Sequence, residues 1–126
     1  MTQIDRTLIF VVEDNLDQAE LITYALKQEG FHCTCFGNAE LALDGLRAAD
    51  VHPSLILLDY VLPGTPAATF VSKVREQNPE IQFILVSAVT QLSIKAAFLH
   101  IDKWLEKPFD LDEHVRLTRQ LSKHVS

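Results

Sequence analysis

Three stretches of this chain, residues 8–12, 55–58 and 83–86, are unbroken apolar runs. A strand with one wet face alternates apolar and polar residues, so a strand apolar throughout must be covered on both faces. Helical patterns lie between and around these runs. Leu16, Ala19, Ile22 and Leu26 recur at spacings of three and four, as do Ala39, Ala42, Leu43 and Leu46. Phe70, Val71 and Val74 mark a third helix, and Ile94, Ala97, Phe98 and Ile101 a fourth. Shorter strands are predicted over 31–36 and 103–106. A last helix opens at Asp110 and Glu113, which suit its N-terminal dipole, and runs past Val115 and Leu121 towards Val125. Strand and helix thus alternate five times, the pattern of a three-layer α/β domain with helices on both faces of a parallel sheet. Periodicity leaves the strand order open. Both common doubly wound orders place their ligands at the carboxyl ends of the strands.

The punctuation agrees with these elements. Asn15 and Gln18 can form a capping box, and Gly30 stands where that helix should stop. Asn38 can cap the second helix, and Thr65 the third, with Pro66 in its first turn. Pro53 and Pro79 break the chain before the third and fourth strands. With 126 residues, 48% of them hydrophobic and 22% charged, the chain suits one domain spanning 1–126, with its core at about 8–121.

Composition also narrows the function. The 11 Lys and Arg against 17 Asp and Glu give a net charge of −6, which disfavours direct nucleic-acid binding. No apolar run approaches the roughly 20 residues of a membrane span, and residues 1–6 lack the apolar core of a signal peptide. No membrane insertion is expected, and the cytoplasm is the expected location. Only 4 glycines are present, and neither a P-loop nor a dinucleotide fingerprint can be found. Cys33 and Cys35 fall on one face of a strand. They read as small buried hydrophobes, since no second pair completes a zinc site. The five histidines are scattered without ligand spacing.

The chemistry lies in what ends each apolar run. The first ends in Glu13-Asp14, the third in Asp59 and the fourth in Ser87, and the fifth is followed by Lys107-Pro108. On parallel strands these endings share one rim. Three crowded carboxylates repel unless a cation sits among them, and Mg²⁺ prefers carboxylate and water oxygens. Lys107 adds a fixed positive charge. Such a site suits a phosphoryl group, with an Asp as nucleophile and the Ser87 hydroxyl bonding a phosphoryl oxygen.

These residues resemble the receiver domains of two-component response regulators, over about residues 8–121. Val12-Glu13-Asp14-Asn15 is similar to the acidic-pair motif. Residues 57–64, Leu-Leu-Asp-Tyr-Val-Leu-Pro-Gly, are similar to the phosphoacceptor segment. Ser87-Ala88 matches the Ser/Thr-Ala pair, and Trp104-Leu105-Glu106-Lys107-Pro108-Phe109 the aromatic-x-x-Lys-Pro-Phe ending. The resemblance implies a flavodoxin-like sheet of order 2-1-3-4-5, the order of the chemotaxis receiver. It implies that Asp59 accepts a phosphoryl group from a sensor histidine kinase or histidine phosphotransfer protein. Asp14, Asp59 and the Val61 carbonyl would ligate Mg²⁺, and Glu13 would act mainly through metal-bound water. Lys107 would pair with Asp59 and then with the phosphoryl group, and the Lys107–Pro108 bond would be cis. Ser87 and Trp104 would form the switch pair. They would reshape the surface of the fourth helix, fifth strand and fifth helix for a downstream protein partner.

Departures from the family pattern are Ala67 and His100-Ile101, where Gly and Gly-Ala are usual, and Trp104, where Tyr or Phe is usual. Apolar Val61 and Val89, two residues after Asp59 and Ser87, cannot position water, so slow self-dephosphorylation is expected. Ile94, Phe98 and Ile101 could serve either a homodimer or the core. The chain is expected to be a signalling domain rather than an enzyme, because an aspartyl phosphatase needs an Asp where Val61 stands. The alternative is a receiver-like interaction module that works without phosphorylation.

Overall fold

The computed structural model describes residues 8–88, 91–101 and 103–107. The apolar runs form strands that pair side by side, and each is followed by a helix that returns across the sheet. In chain order the elements are β1 (Leu8–Val12), α1 (Leu16–Gln28), β2 (His32–Phe36), α2 (Ala39–Ala48) and β3 (Leu55–Asp59). They continue with α3 (Ala67–Gln77), β4 (Gln82–Ser87), α4 (Leu92–Phe98) and β5 (Lys103–Glu106). All strand pairs are parallel, and the sheet order is β2-β1-β3-β4-β5, as the family resemblance implied. The last helix, Pro108, Phe109 and Val89, with the expectations attached to them, lie outside the described residues.

Alternate residues of the central strands feed two cores. Ile9, Val11, Leu55, Leu57, Ile84, Val86 and Leu105 pack on one face with Ile22 and Leu26 of α1. Phe10, Val12, Ile56, Leu58, Phe83 and Leu85 pack on the other with α2, α3 and α4. Each of these side chains removed from water contributes about 1.5–3 kcal/mol. That two-sided burial is why β1, β3 and β4 read as continuous apolar runs.

Asn15 and Asn38 cap their helices as predicted, but the box at Asn15 does not close, because its N–H donates to Glu13 Oε1 rather than to Gln18. Asn15 Oδ1 accepts from the Gln18 N–H at 3.0 Å, and Asn38 Oδ1 from the Leu41 N–H at 2.8 Å. Gly30, at φ +94°, ends α1 in a Schellman turn: the Gly30 N–H reaches the Lys27 carbonyl and the Phe31 N–H the Leu26 carbonyl. The end of α4 repeats this turn without a glycine. His100 takes φ +55°, its N–H reaches the Ala97 carbonyl, and the Ile101 N–H reaches the Ala96 carbonyl. Arg75 of α3 closes the same end from outside, donating to the Leu99 carbonyl and, at 2.8 Å, to the His100 carbonyl.

Four expectations need correction. Thr65 does not cap α3: Pro66 holds the N-cap position without a side-chain cap bond, because the Thr65 hydroxyl donates to Glu40 instead. Leu16 is exposed in the first turn of α1, where the chain leaves the sheet rim. The face assigned to α4 is rotated. Leu92 and Ala96 point inward while Ile94 and Phe98 face solvent, Phe98 being 82% exposed. Ile101, just past the helix, is buried, so of the three residues offered for a homodimer only Ile94 and Phe98 remain available. The cysteines are not both buried, because β2 is an edge strand. Cys33 is half-buried, with its thiol pushed up to about 11 by burial and then by Cys35, while Cys35 is exposed and hydrogen-bonds the Thr23 hydroxyl at 2.7 Å.

Candidate functional site

Strand register builds the site. Val12 pairs with Leu58, Asp59 with Val86, and Ser87 with Glu106. Glu13, Asp59, Ser87 and Lys107 therefore leave the sheet within a residue or two of one level. Backbone bonds extend the ladder past the strand ends and fix those exits: Glu13 N–H to the Phe36 carbonyl, Tyr60 N–H to the Val86 carbonyl and Lys107 N–H to the Ser87 carbonyl, at 2.9–3.0 Å.

The Lys107 ammonium bridges two carboxylates. Its Nζ donates to Glu13 Oε2 at 2.9 Å and to Asp59 Oδ2 at 3.0 Å. Both acids are nearly closed off from water, Glu13 at 3% and Asp59 at 6% exposure. Their remaining oxygens accept from backbone, Glu13 Oε1 from Asn15 N–H at 3.1 Å and Asp59 Oδ1 from Val61 N–H at 3.0 Å. Asp14 is exposed beside them, and one oxygen from each of Glu13, Asp14 and Asp59 lies within 4.8 Å of the others. The resemblance gave Glu13 a role mainly through metal-bound water; in the structure it binds Lys107 directly.

The electrostatics are mixed in sign. Burial raises the Glu13 carboxyl above its ordinary value, and the Asp59 charge adds to this, against the lowering effect of the Lys107 and Asn15 hydrogen bonds. Burial alone would lower the Lys107 ammonium. Its bonds to Glu13 and Asp59 outweigh that and raise it. For Glu13, desolvation outweighs the pairing with Lys107. Three carboxylates and one ammonium leave a formal charge of −3 + 1 = −2 in an all-oxygen donor set. A hard divalent cation fits that donor set, with Asp14 open to water on its outer side.

Ser87 is buried at the end of β4, and Trp104, on the α4 side of β5, is 39% exposed. The side chain of Val61 faces solvent. Two contacts gave no sign in the sequence. Lys95 of α4 lies 5.4 Å from the ring centre of Tyr60, the residue after Asp59. Glu40 of α2 binds Thr65, 25 residues away. No local pattern marks either contact, since each joins separate elements.

Comparison with known proteins agrees with this geometry. The family model for the response regulator receiver domain matches residues 9–119. The transcriptional regulatory protein BasR of Escherichia coli is 31% identical over 119 residues, covering 92% of this chain and 53% of BasR. The DNA-binding transcriptional regulator NtrC of Escherichia coli is 28% identical over 121 residues, covering 94% of this chain and 25% of NtrC. The chain thus spans about half the length of the first relative and a quarter of the second. Among solved structures, the Francisella response regulator 1452 receiver domain superimposes with a TM-score of 0.84 at 23% identity, covering 95% of this chain and 99% of that one. A CheY-like receiver domain protein from Methanospirillum hungatei gives 0.86 at 18% identity, covering 96% and 97%. The chain belongs to the response regulator receiver domain family of two-component systems.

Proposed function

We propose that Asp59 is the phosphoacceptor and that phosphorylation there, with Mg²⁺, switches the surface around α4 and β5 for a protein partner. The observation that carries this reading is the Lys107 bridge between Glu13 and Asp59, with Asp14 beside it. In the transfer, an Asp59 carboxylate oxygen attacks the phosphorus of a phosphohistidine on a sensor kinase or phosphotransfer protein. The P–O bond forms as the P–N bond breaks, and the imidazole nitrogen keeps the electron pair and takes a proton. Asp14, Asp59 and the Val61 carbonyl would hold Mg²⁺, with Glu13 acting mainly through metal-bound water, and the ion would supply charge neutralisation for the transferring group. Lys107 neutralises a further phosphoryl oxygen, and Ser87 moves to hydrogen-bond another. Trp104 follows Ser87 inward from its half-exposed position, changing the face that carries Ile94 and Phe98. In a phosphorylation-linked homodimer, that face would meet its copy, which sedimentation with and without a phosphoryl mimic tests.

The decisive experiment is incubation with Mg²⁺ and acetyl phosphate. An acid-stable, hydroxylamine-labile adduct on Asp59, absent from Asp59→Asn, supports the reading. Labelling of Asp59→Asn at the parent rate overturns it. Absence of any adduct favours an interaction module that works without phosphorylation. Val61 faces solvent and offers no polar group to attacking water. Self-dephosphorylation is therefore slow, and polar residues at both Val61 and Val89 should shorten the phosphoryl half-life. An unchanged half-life counts against this.

A further inference from the structure

The segment between Asp59 and α3 is tied at both ends. At its start the Val61 N–H donates to Asp59 Oδ1 at 3.0 Å. At its end Glu40 Oε1, from the first turn of α2, accepts both the Thr65 N–H at 3.2 Å and the Thr65 hydroxyl. The chain closes tightly on this carboxylate. Gly64 takes φ +88°, and a Cβ there would lie 3.1 Å from Glu40 Oε1 and 3.2 Å from Oε2. The tie also displaces something useful. Thr65 stands directly before Pro66 and could cap α3, yet α3 starts without a side-chain cap. Glu40 itself stands on a fixed base, since Asn38 caps α2 and Ala39, Ala42 and Leu43 are buried beneath it. The Thr65 hydroxyl holds the Glu40 carboxyl below its ordinary value, so the acceptor stays ionised at neutral pH.

We propose that Glu40 is a positioning residue for the acceptor loop: by clamping Thr65 it fixes the backbone between Asp59 and α3 and so sets the Val61 carbonyl at the metal position. The proposal rests on the reading of Asp59 and Mg²⁺ given above. Glu40 touches no reacting atom. Its effect is carried through the loop, which makes metal affinity more sensitive to it than the transfer step.

The test uses four variants: Glu40→Ala, Glu40→Gln, Thr65→Val, and Glu40→Ala with Thr65→Val. Mg²⁺ affinity is read from the emission of Trp104, the single tryptophan. Labelling of Asp59 by acetyl phosphate is read at low and at saturating Mg²⁺, and thermal unfolding monitors integrity. Glu40→Ala should raise the Mg²⁺ dissociation constant roughly threefold to tenfold, below the effect of losing a partner that binds a metal ligand directly. Labelling at saturating Mg²⁺ should stay within about twofold, because the transfer chemistry is untouched. Glu40→Gln, which keeps a carbonyl acceptor for both Thr65 donors, should recover most of the affinity. The double variant should be no worse than Glu40→Ala alone. The proposal is overturned by an unchanged Mg²⁺ dissociation constant in Glu40→Ala, or by losses that multiply in the double variant. A parent chain that binds Mg²⁺ without labelling on Asp59 would instead sink the phosphoacceptor reading and leave the clamp measurable through Mg²⁺ alone.

Discussion

Removing the Lys107 ammonium tests the electrostatics of the site most directly. Lys107→Met keeps most of the apolar stem and deletes the charge, leaving Glu13 and Asp59 facing each other out of water. Breaking a buried pair this way usually costs about 3–5 kcal/mol, because an uncompensated charge remains. The loss has a ceiling, since Glu13 can take up a proton. With an unfolded carboxyl near 4.3 and 1.36 kcal/mol per pH unit, protonation at about pH 7 costs about 3.7 kcal/mol. At about pH 5.5 the same arithmetic gives about 1.6 kcal/mol.

The sign follows from the direction of the shift. The folded Glu13 carboxyl is already raised by burial, and losing Lys107 raises it further. The native state then binds the proton more tightly than the unfolded chain. Its relative stability is greatest below the unfolded value and falls as pH rises through the folded one. Urea unfolding in EDTA should show the variant about 3–3.7 kcal/mol less stable than the parent near neutral pH, and closer to it on acidification. Added Mg²⁺ should stabilise the variant, because an ion held by the native acidic cluster would have no such site in the unfolded chain. A loss below about 0.5 kcal/mol at neutral pH, the scale of an exposed pair, would refute the reasoning. So would a loss that does not change with pH.

His100→Gly should stabilise the chain by roughly 0.5–1 kcal/mol, since glycine adopts the left-handed turn at φ +55° without a Cβ penalty. A rise in melting temperature checks it, and a fall argues that the His100 side chain has a role of its own. Gly45→Ala should destabilise despite alanine's better helix propensity. The new methyl would lie 2.5 Å from Phe36 Cζ, in a ring packed edge-on to Phe10, at a cost of about 1–3 kcal/mol in urea unfolding. Asn38→Ala should cost about 1 kcal/mol by loss of the α2 cap, measured the same way. Asp14→Asn should weaken Mg²⁺ binding, read from Trp104 emission, while leaving unfolding in EDTA nearly unchanged, because Asp14 is exposed and outside the Lys107 bridge.

Much of the site was legible because its residues terminate strands. Glu13, Asp14, Asp59, Ser87 and Lys107 each follow an apolar run, and a parallel sheet brings such endings to one rim. The burial of Ala39, Ala42, Leu43 and Leu46 was likewise plain from spacing. What escaped was set by tertiary context. The inward face of α4 rests on Leu92 and Ala96, but seven residues are too few to fix a helical phase, and larger apolar residues at Ile94 and Phe98 point the wrong way. Thr65 has the chemistry of a cap, and only the approach of Glu40 from another helix diverts it. Arg75 shows nothing in the sequence of its grip on the α4 terminus, because both acceptors are backbone carbonyls 24 and 25 residues on.

The continuous burial of β1, β3 and β4 has a cost in specificity. Where both faces of a strand are greasy, sliding it one place exchanges one hydrocarbon contact for another, so the cores alone discriminate weakly between alignments. The ionic tips discriminate strongly. A slip that drew Asp59 or Glu13 inward would strand a carboxylate among leucines and valines, beyond reach of the lysine that neutralises it. The charged residues of the rim thus also act as the sheet's alignment pins, and neutralising all of them together should blur the native state before it weakens the hydrophobic interior.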